Sequence, residues 1–70
     1  MTSSFVITPR VIQTINSMTP DDRSVISQAL SMEYILGENP DTILSPMQKV
    51  LYAIIRFYVR QDTERRLNQQ

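Results

Sequence analysis

Seven carboxylates, seven cationic side chains, no histidine, no cysteine and a single glycine are what this 70-residue chain offers for chemistry. Without His or Cys the commonest general base and the best thiol nucleophile are missing. Disulfides cannot form, and the usual zinc sites have no ligands. One glycine, Gly37, is too few for the Gly-rich loops that cradle phosphates in P-loop and dinucleotide sites. Two carboxylate pairs remain, Asp21 with Asp22 and Asp62 near Glu64. Adjacent helical positions do not face each other, so both pairs read as capping and solvated charge. The expectation is a protein that is not an enzyme, with no cofactor, no metal and no small-molecule substrate.

The formal charge is zero but unevenly placed. Residues 1–44 carry two arginines against five carboxylates, a net −3, and residues 45–70 carry Lys49 and four arginines against Asp62 and Glu64, a net +3. Such a dipole fits mutual attraction of the two halves, or a charged partner. Lys49, Arg60, Arg65 and Arg66 are the candidate phosphate contacts if that partner is a nucleic acid. Three arginines interleaved with Asp62 and Glu64 are a weak footprint, however, because nucleic-acid-binding domains are usually strongly basic. The tight Met18-Thr19-Pro20 joint resembles a helix-turn-helix corner only superficially, since Asp21 and Asp22 would then confront phosphates.

The elements that must position these groups announce themselves by one recurring pair. Thr8-Pro9, Thr19-Pro20 and Ser45-Pro46 each join a hydroxyl that can accept from a first-turn N–H to a proline that forgoes an N–H with no partner. Asp22 and Gln48, three residues after Thr19 and Ser45, add reciprocal capping, and Ile7 with Ile12 has the spacing of a hydrophobic staple. Three helices follow, over about 9–18, 20–36 and 46–67. Gly37 ends the second, and the breaker-rich segment 37–44 forms the loop. The fold class is all-α, a three-helix bundle-like single domain over 1–70 with a short apolar arm at 1–7.

Apolar periodicity then assigns faces. Val11, Ile12, Ile15 and Met18 form one stripe on the first helix, and Val25, Ala29, Met32 and Leu36 another on the second, widened by Ile26 and Leu30. Glu33 is the misfit there; if buried it needs Arg10, Arg56 or Arg60 as a partner. On the third helix Lys49, Arg56, Arg60 and Thr63 mark the wet side. Met47, Val50, Leu51, Ile54, Phe57 and Tyr58 make a broad core face, and Tyr52, Ile55 and Val59 run beside it as a second line. The apolar arc approaches about 200°, where a surface helix needs little more than about 100°.

The excess has two explanations. The arm at 5–7 and the loop residues Ile43 and Leu44 can cover it, or the second line is an interface. The preferred expectation is the interface: Tyr52, Ile55 and Val59 meet a protein partner or a second copy, with Asp62 and Arg66 pairing across an antiparallel two-fold. The function expected is that of a small interaction or regulatory protein, with a nucleic-acid-binding regulator as the alternative. The longest apolar run, 50–59, is too short to span a bilayer, which needs about 20 residues. No signal-peptide pattern opens the chain, so the expected location is the cytoplasm.

Overall fold

A computed structural model describes residues 5–68. Helix α1 is Pro9–Asn16, α2 is Pro20–Tyr34 and α3 is Pro46–Leu67, with a one-turn 3-10 helix at Pro40–Ile43. All three proline-led starts are helix starts, with Ser45 and Gln48 forming the reciprocal capping box at α3. Thr19 accepts from the Asp22 N–H at 3.3 Å. The Asp22 carboxylate does not reach back; it accepts from Gln48 Nε2 at 3.0 Å and so ties the start of α2 to the start of α3.

Thr8 departs from the capping expectation. Its hydroxyl makes no cap bond and instead donates to Asp62 Oδ2 at 2.6 Å, on α3. Ile12 is 49% exposed, so its place in the apolar stripe of α1 and in a staple is not realised as burial. α1 and α2 each end two residues earlier than the periodicity predicts. Ile35 and Leu36 follow α2 with 70% and 62% exposure, Gly37 takes the left-handed conformation (φ 70°), and the Glu38 N–H bonds the Met32 carbonyl at 2.7 Å. On α2 the buried residues are Ile26 and Ala29, with Val25 and Leu30 packed beside them.

The core joins Val11 and Ile15 of α1, Ile26 and Ala29 of α2, Leu44 of the loop, and Tyr52, Ile55 and Val59 of α3. Ile7 of the arm and Ile43 of the loop pack against it. The described part of the arm, residues 5–7, lies on its own chain, with the Val6 N–H donating to Thr63 Oγ1 at 2.9 Å. The first four residues of the expected arm lie outside the described residues.

Two polar clusters fasten α3. In one, the half-buried Glu33 carboxylate accepts from the Tyr52 hydroxyl at 2.6 Å and faces the Arg56 guanidinium at 3.1 Å. Burial, then the hydrogen bond to Glu33 and that carboxylate's charge, push the Tyr52 phenol far above its ordinary value, so it stays a donor. Tyr34, beside the same carboxylate, is also pushed up, mainly by burial. In the other cluster Asp62, buried, accepts from Thr8 and from Arg10 Nη2 at 2.6 Å, while Arg10 also lies 4.2 Å over the Tyr58 ring. Among the described residues no buried side-chain nitrogen or oxygen lacks a partner.

The Thr8 hydroxyl, and then the Arg10 charge acting against desolvation, hold the Asp62 carboxyl below its ordinary value. A depressed carboxylate contributes stability that is complete above its unfolded-state pKa, about 3.9, and lost as pH falls through the folded value. The melting temperature of Asp62→Asn is therefore expected below wild type at pH 6, with the gap closing as pH falls below about 4. A gap that stays constant over that range would remove Asp62 from the acid response.

Two adjacent isoleucines test the orientation of α3. Ile55 is fully buried and Ile54 is 42% exposed. Urea unfolding in dilute solution should show Ile55→Ala costing about 2–5 kcal/mol and Ile54→Ala about 1 kcal/mol or less. The reverse order would mean that α3 packs by its other face.

Candidate protein-interaction surface

The interface expected at Tyr52, Ile55, Val59 and Asp62 is corrected by their burial. These four residues are 1%, 0%, 1% and 8% exposed, and they pack against α1, α2 and the loop of their own chain. The Asp62 oxygens, expected to meet Arg66 of a partner, accept from Thr8 and Arg10 of their own chain. Arg66 is exposed at the end of the helix. Arm and loop thus cover the line, as the competing explanation expects.

The broad face assigned to the core is corrected in the opposite sense. Met47, Val50, Ile54 and Phe57 are 67%, 58%, 42% and 57% exposed, and only Leu51 and Tyr58 of that face pack against the core. The wet side is also partly covered, because Arg56 is held by Glu33 and Thr63 by the arm. α3 is rotated relative to the expected orientation. The physical reason lies in its polar atoms: the inward face carries Gln48, Tyr52 and Asp62, and these meet Asp22 and Glu33 of α2 and Arg10 of α1.

The surface left outside is a line at i, i+3, i+7 and i+10 over the first half of α3. That spacing keeps four side chains on one stripe of a helix. Beside it Met18, Leu51 and Ile54 floor an open groove of about 340 Å³, edged by Thr14, Ser17, Thr19 and Asp22. Tyr58 and Phe57 continue the apolar surface with rings 6.1 Å apart. Other exposed apolar residues, such as Ile12 and Leu67, lie on other elements or at the helix end. Single exposed apolar side chains are ordinary; a run of four on one stripe is not.

The alternative phosphate contacts do not converge. Lys49, Arg60, Arg65 and Arg66 are all exposed. At about 100° per residue Arg65 and Arg66 diverge, and Lys49 with Arg60 occupies a third side of α3. Arg60 lines a mixed cleft that also includes Phe5, Tyr34 and the carboxylates Glu33 and Glu64.

Among the described residues no group of three acidic side chains is placed to hold a metal ion. None of the described helices is long and apolar enough to cross a membrane. The exposed line has a signal in the sequence that periodicity overlooks: it is the stripe of α3 without a single hydrogen-bonding side chain between 47 and 57. Matching Tyr52 to Glu33 and Asp62 to Arg10 across the chain would have turned the other stripe inward. Comparison with protein-family models, curated proteins and solved structures finds no match to this chain.

Proposed function

We propose that this chain is a non-catalytic interaction protein whose working surface is the exposed stripe of α3, formed by Met47, Val50, Ile54 and Phe57. The observation that carries the reading is that the core is complete on the opposite face of the same helix, while four large apolar side chains stay in water. Nothing in the fold of the monomer requires them to be apolar. Fully burying side chains of this kind contributes about 1.5–3 kcal/mol each, so a partner that covers the stripe has a ready source of affinity.

The groove floored by Met18, Leu51 and Ile54 widens the surface to accept a side chain from that partner, with Thr14, Ser17, Thr19 and Asp22 as a polar rim. An apolar centre with a polar rim is the usual anatomy of such sites. A catalytic role has little support, since the chain lacks His and Cys and the carboxylates of Asp22, Glu33 and Asp62 are engaged in contacts between elements. The cytoplasm remains the compartment proposed. Phosphate binding has weaker support, because the four cations point to three sides of α3.

Size fractionation of the tagged chain in a native lysate tests the reading. Wild type is expected in a complex well above its 8.1 kDa plus tag, and Ile54→Glu at the monomer mass with an unchanged helical circular dichroism spectrum. Wild type migrating as a monomer at every expression level would reject it.

A further inference from the structure

We infer that the partner of the α3 stripe is a second copy of this chain, packed with its α3 antiparallel. The inference rests on the reading of that stripe as an interaction surface and adds its occupant and register.

The first observation is the symmetry of the stripe. Its members lie at 47, 50, 54 and 57, and the spacing 3, 4, 3 reads the same in both directions. An antiparallel two-fold level with residue 52 therefore places Met47 of one copy opposite Phe57 of the other, and Val50 opposite Ile54. Each large residue meets a residue of matching level, and none is left facing a polar one. A two-fold contact must use one patch twice, and this patch is self-complementary by its spacing. The 3-4 alternation is also the one by which two helices interlock side chains along a seam.

The second observation is charge. α3 ends in a basic third containing Arg60, Arg65 and Arg66, exposed among Gln61 and Glu64. Its N-terminal end adjoins the acidic part of the chain: Asp41 lies in the one-turn helix just before it, Glu38 precedes that, and Asp22 is bonded to Gln48 in its first turn. Antiparallel pairing about residue 52 carries the segment after residue 58 past the start of the partner helix, toward the partner's Glu38 and Asp41 side. Of the three arginines Arg65 alone continues the line of Met47 at about 100° per residue, and parallel pairing would set it against its counterpart in the other copy. Opposed helix dipoles favour the same choice.

The stripe covers about 15 Å of helix, short of what a standard interface of about 800 Å² per partner needs unless the groove and the basic overhang join in. The dimer is accordingly modest in affinity, forming in the micromolar range, and its dissociation constant rises in high salt as the overhang is screened.

The absence of cysteine makes the register directly readable. Met47→Cys and Phe57→Cys are made separately and purified, and the wild-type mass is measured by light scattering from about 10 μM to about 1 mM. Oxidation is carried out where the scattering shows each variant dimeric. In the antiparallel register equal residues of the two copies are about 15 Å apart along the axis, beyond disulfide reach, whereas 47 and 57 are level. The expected result is a mass rising toward twice 8.1 kDa and a covalent dimer from the mixture of the two variants only. Covalent dimers from each variant alone would overturn the antiparallel register. A purified wild type that stays at 8.1 kDa throughout would overturn self-association; if the lysate complex persists in that case, the stripe binds another protein and only the choice of occupant fails.

Discussion

Asp62 accepts the Thr8 hydroxyl and the Arg10 guanidinium, and Tyr52, ten residues earlier on the same face of α3, donates to Glu33. The rest of the structure depends on both of these contacts being inside. A buried carboxylate or phenol without its partner is costly, while a hydrocarbon left in water forgoes stabilisation without stranding a polar group. The chain therefore turns inward the face of α3 on which every polar atom can be satisfied. The arm is drawn down by Thr8 and Thr63, α1 by Arg10 and α2 by Glu33.

A 70-residue chain without disulfides has little core to spare. The helix that closes this one has apolar residues on two stripes, and Val11, Ile15, Ile26 and Ala29 are enough to cover one of them. The arm and loop supply the remaining lid through Ile7, Ile43 and Leu44. What stays outside is the stripe with no polar member, which is also the stripe best suited to meeting a dry surface. Folding draws on one face of the helix, and the proposed association would draw on the other, with the charge asymmetry along the chain giving it a direction.

Helix starts were legible because they are local: a hydroxyl, a proline and a residue three positions later suffice at Thr19 and Ser45. Gly37 was legible for the same reason, since only its backbone conformation is at stake. The orientation of α3 was not, because periodicity counts apolar residues and both stripes have them. The deciding facts are pairings over nineteen to fifty-four positions, Tyr52 with Glu33 and Asp62 with Thr8, which no local window contains. Thr8 has the local pattern of a cap for the same reason, its acceptor being at the far end of the chain. Periodicity alone likewise takes the buried line of Tyr52, Ile55 and Val59 for the outward one.

Thiol reactivity at two neighbouring positions tests the account most directly, since the native chain has no cysteine to interfere. For Ile54→Cys, labelling is expected to be fast in dilute solution and to slow as protein concentration rises through the dimer range. For Ile55→Cys it should be at least about 100-fold slower and insensitive to concentration, because its reaction waits on opening of the core. Equal rates at the two positions, or a rate at position 54 that ignores concentration, would contradict a helix that folds by one face and associates by the other.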